Sequence, residues 1–263
     1  MPGVSWTQWD VVNRPVVFPR GTDAVFYLSQ SPYYREFPQR AEHLLAVNVM
    51  GAVKAARAAV EAGARFFCYA STGNVYRPSF DPLAEDAPLR RDNGYALSKV
   101  MAEEALSLVH DSMALVSVRL FGVFGPGQRG MLVPNIRERV RNQQPIRLDG
   151  SPRHPGDDGL RVSLCCIDDT VDCLVRLMQL ACGGSPVPKQ FNIAGPEPIS
   201  IRRLAVEQGK LLQVEPKFER GEQVREFDLI ADISRLRQFL NPTFSDFGES
   251  LARTLESDRP AQI

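Results

Sequence analysis

Residues 94–104 read Gly94-Tyr95-Ala96-Leu97-Ser98-Lys99-Val100-Met101-Ala102-Glu103-Glu104, and this stretch points most directly to a fold. Tyr95 and Lys99 are four residues apart, so on a helix their side chains lie one above the other on the same face. A phenol with an ordinary pKa near 10 is a poor base at neutral pH, and a neighbouring ammonium lowers that pKa. The spacing therefore predicts a helix whose Tyr95 can exchange a proton with a substrate hydroxyl or carbonyl.

The pair by itself is a weak signal, because a surface helix can carry a Tyr and a Lys at this spacing without any chemistry. The composition adds some weight, since the chain has 26 arginines and only five lysines. The wide, permanently charged guanidinium does not replace a compact ammonium. A lysine at position 99 therefore indicates that an ammonium is required there.

A second motif lies upstream, in Phe66-Phe67-Cys68-Tyr69-Ala70-Ser71-Thr72-Gly73-Asn74-Val75-Tyr76. An apolar and aromatic run followed by small hydroxyl residues and glycine predicts a buried strand whose carboxyl end opens into a loop. Ligands of open α/β sheets bind at that end of the strands. Ser71 and Thr72 are thus candidates to share a site with Tyr95.

The combination of a strand, Ser-Thr-Gly-x-Val-Tyr, and Tyr-x-x-x-Lys about twenty residues later resembles the extended short-chain dehydrogenase/reductases. These form the NAD-dependent epimerase/dehydratase family, typified by UDP-galactose 4-epimerase. The resemblance implies that Tyr95 is the acid/base and that Thr72 binds the reacting hydroxyl, with Ser71 as its alternative. It also implies that Lys99 holds the nicotinamide ribose and depresses the pKa of Tyr95.

The same resemblance assigns further residues to an NAD or NADP cofactor. Asp10 would contact the adenine, and the ends of two strands, at Leu28, Gln30 and Ala70, would line the cofactor site. Ser29-Gln30 stand where the family has a small pair. Asn48 matches a helix Asn that ties to the catalytic strand.

Three positions are assigned to a nucleotide-sugar substrate by the resemblance. Gly122 stands where most members have an Asn that binds the substrate. Arg161 and Arg220 match arginines that contact the diphosphate, and a guanidinium fork suits phosphate oxygens. No metal ligands are expected.

The family's opening Gly-x-x-Gly-x-x-Gly turn, which receives the pyrophosphate, does not occur in the chain. The expected fold is therefore an α/β, N-terminally truncated Rossmann-type parallel sheet flanked by helices, with a smaller C-terminal substrate-binding lobe. Residues 1–120 plus 160–185 would form the core, without its first βαβ unit. Residues 121–159 plus 186–263 would form the lobe.

Composition excludes several other classes. The formal net charge is zero, so bulk electrostatics draw the chain neither to nucleic acid nor to an anionic membrane. No apolar run is expected to reach the length of a membrane span. The five cysteines lack metal-ligand spacing and are expected to be free thiols in a cytoplasmic protein.

Two functions from different classes remain. The first is an NAD(P)-dependent epimerase, dehydratase or reductase that acts on a nucleotide sugar, in a homodimer by resemblance. The alternative is a cofactor-free pseudoenzyme, or a truncated and inactive member, that acts as a binding module. Binding of the nicotinamide cofactors separates the two.

Overall fold

The computed structural model describes residues 3–109, 113–153 and 158–257. The chain divides into two compact units. The first unit comprises Met1–Val75, Leu89–Val118 and Met178–Gln190, and the second comprises Tyr76–Pro88, Arg119–Leu177 and Phe191–Ile263. The domain boundaries expected from the sequence stay a prediction.

The strands in the described part of the chain are short and mostly buried. They are β1 (Ala24–Tyr27), β2 (Phe66–Thr72), β3 (Ala114–Leu120), β4 (Gly122–Phe124), β5 (Ile146–Gly150), β6 (Arg161–Cys166), β7 (Gln190–Ile193), β8 (Pro198–Ser200) and β9 (Phe218–Val224).

The α-helices of the same residues alternate with these strands. They are α1 (Ala41–Leu45), α2 (Ala52–Ala62), α3 (Gly94–Leu106), α4 (Leu132–Arg141), α5 (Ile167–Cys182), α6 (Ile201–Leu212), α7 (Ser234–Leu240) and α8 (Phe247–Ser257). A π-helical segment, Ala46–Gly51, joins α1 to α2, and a 3₁₀ turn, Gly73–Val75, follows β2.

The strands form three sheets. One has the order β1-β2-β3-β7, with β1 and β2 parallel and Ala24 opposite Phe66. The second, β4-β6-β8, pairs β4 with β6 in parallel and β6 with β8 antiparallel, and the third pairs β5 with β9 in parallel. The expectation of an α/β fold with parallel strands and flanking helices is confirmed.

The core of the first unit places helices against β1 and β2. The spacing of apolar residues from 39 to 62 predicts a helix that ends at Gly63, and α2 does end there, with Gly63 in the left-handed conformation at φ 86°. Its alanines Ala52, Ala55, Ala56 and Ala59 are buried in one cluster with Phe67 and Tyr69 of β2. Small side chains on this face let the helix lie close to the sheet.

The continuous helical segment Ala41–Ala62 is 22 residues long and apolar enough, by length and composition, to span a membrane. This corrects the expectation that no run reaches that length. In the structure 56% of its apolar window is buried. Its apolar face is used by the protein core, which explains the composition without a bilayer.

The second unit has its own apolar core and a buried polar network. Phe124, Ile136, Val140, Leu164 and Leu204 belong to that core. The network centres on the guanidinium of Arg119, which is 1% exposed and donates to the Tyr76 hydroxyl (2.9 Å) and to the Glu85 backbone carbonyl (2.7 Å). The Tyr76 hydroxyl in turn donates to Asn192 Oδ1 at 2.6 Å, so these buried polar groups are paired.

We expect Gly195→Ala to destabilise the protein, because the added Cβ would overlap the backbone carbonyl oxygen of Leu164. A backbone atom cannot rotate away, so the free energy of unfolding should fall by about 1–3 kcal/mol or more in urea titrations. Gly150→Ala is the matched control, since nothing lies within 4 Å of its added Cβ. A Gly195→Ala protein as stable as the control would contradict the close approach of Gly195 to the Leu164 carbonyl.

Candidate functional site

The site is built on α3 and on the carboxyl end of β2, both in the first unit. Asn93 precedes α3, and its side-chain Oδ1 accepts a hydrogen bond from the Ala96 amide at 3.0 Å. This cap starts the helix at Gly94 and so places Tyr95 in its first turn, with Lys99 one turn further on. The helix predicted from the Tyr-x-x-x-Lys spacing is present.

The hydroxyl of Tyr95 has two side-chain partners. It donates to Gln30 Oε1 at 2.9 Å, and the Thr72 side chain acts on it by lowering its pKa. Thr72 Oγ1 itself accepts from the backbone N–H (3.2 Å) and the side-chain Nδ2 (3.3 Å) of Asn74. Of the two β2 hydroxyls, Thr72 is the one that influences the Tyr95 pKa.

The pKa of Tyr95 departs from its ordinary value in the direction opposite to that expected from the sequence. Burial raises it to about 12, the hydrogen bond from Thr72 opposes this rise, and the nearby Tyr34 phenol adds to it. The rings of Tyr34 and Tyr95 lie 5.3 Å apart. The expectation that Lys99 lowers this pKa is thus wrong for the structure as it stands, because desolvation of the phenolate outweighs the favourable contacts.

The ammonium of Lys99 binds to the carboxyl end of β2. Its side chain is buried, and Nζ donates to the Ala70 carbonyl at 2.7 Å and lies 5.0 Å from the centre of the Tyr69 ring. Burial lowers the pKa of Lys99 to about 8, and the Glu103 carboxylate opposes that shift. The ammonium is therefore the major form at neutral pH but is lost in mildly alkaline solution.

Glu103 is a part of the site that the sequence analysis did not assign. It is buried, its Oε1 accepts from the Ser71 hydroxyl, and its Oε2 accepts from Gln190 Nε2 at 3.3 Å. The sequence did contain a signal for Glu103, because this residue lies one helical turn beyond Lys99 on the same face of α3. Its carboxylate engages the hydroxyl of Ser71, the other candidate at the end of β2.

A buried amide ties the site to the rest of the unit. Asn48, in the π-helical segment, is fully buried; its Oδ1 accepts from the Ser31 amide at 3.0 Å, and its Nδ2 donates to Ser98 Oγ at 2.9 Å. The Tyr69 hydroxyl of β2 donates to the Asn48 backbone carbonyl at 3.2 Å. Local π-helical turns of this kind occur frequently at functional sites.

A cavity of about 480 Å³ opens beside Tyr95 within the first unit. It has aromatic rings, two asparagines and charged groups in its wall: Tyr34, Arg35, Phe37, Asn74, Arg90, Asp92, Asn93, Gly94 and Tyr95. Arg90 is paired with Asp92 at 2.7 Å, and the Arg35 guanidinium lies 5.1 Å from the Tyr34 ring centre. Aromatic surfaces with a few convergent polar groups are typical of small-molecule sites.

The other cofactor residues expected from the sequence lie in the first unit but outside these contacts. Asp10 is in an exposed turn, where its Oδ1 accepts from the Val12 and Asn13 amides. Leu28 follows β1 and is 60% exposed. Their contacts with a cofactor stay predictions.

Ser71 and Thr72, expected at the reacting hydroxyl of the substrate, lie in the first unit, whereas Gly122, Arg161 and Arg220 lie in the second. Gly122 begins β4 and pairs with Leu164 of β6. Arg161 begins β6, where its backbone N–H donates to Asp228 Oδ1 at 3.0 Å, whereas Arg220 is exposed on β9 in a different sheet. Their roles toward a substrate stay predictions.

The cysteines are free thiols, four of them buried: Cys68, Cys165, Cys166 and Cys173. Among the residues with described positions, no cluster of three or more His, Cys, Asp or Glu side chains could hold a metal ion.

A comparison with family models identifies the protein family to which the fold and the residues Tyr95, Lys99 and Thr72 point. The model of the NAD dependent epimerase/dehydratase family matches residues 4–194. The chain belongs to this family, as its motifs indicated.

A curated relative matches the chain at low sequence identity. dTDP-4-dehydro-6-deoxyglucose reductase from Escherichia coli is 26% identical over 187 residues, which are 68% of this chain and 56% of that protein. The chain thus spans little more than half the length of this curated relative.

Solved structures share the fold at low identity. RMD from Pseudomonas aeruginosa, complexed with NADPH, superposes with a TM-score of 0.77 at 21% identity, over 95% of this chain and 86% of its own. UDP-glucuronic acid 4-epimerase from Bacillus cereus, in complex with UDP-glucuronic acid and NAD, gives 0.73 at 20% identity over 89% and 74%. The Rossmann-type architecture expected from the sequence is confirmed.

We expect Asn48→Ala to lower the free energy of unfolding by roughly 1–3 kcal/mol, because the Ser31 N–H loses its buried acceptor. Asn135→Ala, at an exposed position of α4, is the matched control and should change stability by less than about 0.5 kcal/mol. Urea unfolding followed by circular dichroism measures both. Equal stabilities would show that the Asn48 bridge does not hold this unit together.

Proposed function

We propose that this chain is an NAD(P)-dependent enzyme of the epimerase, dehydratase or reductase type that acts on a nucleotide sugar, with Tyr95 as its proton-transfer residue. The observation that carries this proposal is the join between α3 and the carboxyl end of β2, where Lys99 Nζ donates to the Ala70 carbonyl at 2.7 Å and Thr72 lowers the pKa of Tyr95. A substrate hydroxyl or carbonyl that reaches the Tyr95 hydroxyl would also be within reach of Thr72. Two hydroxyl groups converging on one point can orient an oxygen and exchange its proton.

The residues around Lys99 fit the nicotinamide end of the cofactor. An ammonium carries three N–H donors, and in the described structure Lys99 uses one of them on the Ala70 carbonyl. The others would bind ribose hydroxyls, with Ala70 and Gln30 lining the same place. When bound, the nicotinamide supplies or accepts the hydride that accompanies the proton transfer.

The cavity beside Tyr95 is proposed to receive the sugar. The rings of Tyr34 and Phe37 offer apolar faces to the carbohydrate, and the amide of Asn74 offers a hydrogen-bond donor and acceptor. The nucleotide-sugar class is supported by the relatives, among them a dTDP-sugar reductase and an epimerase solved with UDP-glucuronic acid. Arg161 and Arg220 are proposed as diphosphate contacts, because guanidinium groups bind phosphate oxygens in pairs.

Homodimer formation, a cytoplasmic location and the lack of nucleic-acid or membrane partners stay predictions.

Calorimetry with NADH and NADPH tests the proposal on the purified chain. We expect micromolar binding of one of them, followed by turnover of a nucleotide sugar such as UDP-glucose with the oxidised form. Tyr95→Phe should lower kcat by about 10²–10⁴-fold, because the proton-transfer group is removed. Tyr33→Phe is the matched control, since Tyr33 packs on His43 and does not line the cavity. No binding at millimolar cofactor would end the proposal.

The affinity for the cofactor should depend on pH through Lys99. Its pKa is lowered to about 8, so the ammonium is present below that pH and is lost as the pH rises above it. We expect the Kd for the cofactor to rise roughly tenfold between pH 7 and 9.5, because one charged hydrogen bond is lost.

In Lys99→Arg the cation persists over this pH range, so the Kd should not change with pH, even if it is higher than that of the unsubstituted protein at every pH. A Kd that rises with pH equally in both proteins would assign the effect to another group.

A further inference from the structure

The side chain of Gln30 contacts the reacting atom of the proposed enzyme. Gln30 follows β1 in the chain, and its Oε1 lies 2.9 Å from the Tyr95 hydroxyl oxygen. The neighbouring Ser31 is held in place by the buried amide of Asn48. Gln30 therefore extends from an anchored point of the backbone although its own side chain is exposed.

The Tyr95 hydroxyl donates its proton to Gln30 Oε1. Thr72 Oγ1 accepts from the backbone N–H and from Nδ2 of Asn74, and the Thr72 side chain favours ionisation of the phenol. Gln30 is therefore the side-chain acceptor that the Tyr95 proton meets in the free protein.

We propose that Gln30 is a positioning residue that stabilises and orients the protonated Tyr95 hydroxyl, so that at rest the site is set to donate a proton to a substrate carbonyl. A carbonyl oxygen can accept from a phenol but offers nothing to a phenolate, so this contact favours the neutral form. The inference rests on the proposed function for its meaning, but the contact itself exists without cofactor or substrate.

Charged and titratable groups surround Tyr95 on several sides. Lys99 and Glu103 follow it on α3, Tyr69 lies on β2, and Tyr34 packs on its ring. The cavity beside Tyr95 is also lined by two cations, Arg35 and Arg90, and by one anion, Asp92. Burial is the largest influence on the Tyr95 pKa and raises it, toward the protonated phenol, whereas the Thr72 side chain lowers it.

The chemical consequence is that the resting site holds the proton that carbonyl reduction consumes. In that reaction the carbonyl carbon gains a hydride from a reduced nicotinamide, the C=O π bond breaks, and the oxygen takes the Tyr95 proton. The phenolate left on Tyr95 is reprotonated by solvent. Oxidation of an alcohol requires the phenolate at the start, and the contact with Gln30 disfavours it.

The test is a pH titration of the free protein labelled with 3-fluorotyrosine, followed by ¹⁹F NMR between pH 8 and 12. The electron-withdrawing ring fluorine makes the phenol more acidic, which brings the Tyr95 midpoint, about 12 in the unlabelled protein, inside this range. The Tyr95 signal is assigned by its absence in Tyr95→Phe. In Gln30→Ala the phenol loses its acceptor, and we expect its ionisation midpoint to fall by at least about half a pH unit, roughly threefold in the ionisation constant. In Gln30→Glu a carboxylate faces the phenol, so the midpoint should rise.

Gln39→Ala, an exposed glutamine that does not line the cavity, is the matched control and should leave the signal unchanged. An unchanged midpoint in Gln30→Ala would overturn the proposal. A higher midpoint would also overturn it, because Gln30 would then be donating its amide N–H to the phenolate. Since the readout needs neither cofactor nor substrate, its result is independent of whether the proposed enzyme activity is found.

Discussion

The amide of Asn48 is the contact on which the site depends most. A buried primary amide is costly unless its donors and its acceptor are paired, so Asn48 holds its partners in fixed positions. Through Ser31 it fixes the segment that carries Gln30, and through Ser98 it fixes α3 three residues beyond Tyr95. Ser98 Oγ also donates to the Tyr95 carbonyl at 2.7 Å. The Asn48 side chain is therefore linked both to the backbone next to Gln30 and, through Ser98, to the backbone of Tyr95.

The electrostatics of the site follow from burial more than from proximity. One helical turn separates Tyr95 from Lys99, but the ammonium donates to the Ala70 carbonyl and faces the Tyr69 ring. The free energy of removing charge from water disfavours both ions, and it raises the pKa of Tyr95 to about 12 and lowers that of Lys99 to about 8. In the free protein the two groups are therefore a neutral acid and a cation that is near its titration point.

Much of this arrangement could be predicted from the sequence. The apolar run ending in Ser71-Thr72 and the helix carrying Tyr95 and Lys99 are found as expected, and the family is confirmed. The direction of the Tyr95 pKa shift was not predictable, because spacing shows which groups are near but not how much water reaches them. Tyr34 and Asn74 were also missed, since nothing in their local sequence indicates that a loop folds back onto α3. Glu103 could have been found from its helical spacing alone.

The π-helical segment Ala46–Gly51 also sets the rotational phase of the helix that follows it. An extra residue in one turn rotates everything after it by about 100° relative to an uninterrupted α-helix. Asn48 faces inward within this segment, and the alanines of α2 face the sheet beyond it. A chain shortened by a single residue here could therefore keep either the amide bridge or the alanine face turned inward, but not both. The length of this helix is constrained residue by residue, even where its individual side chains are small.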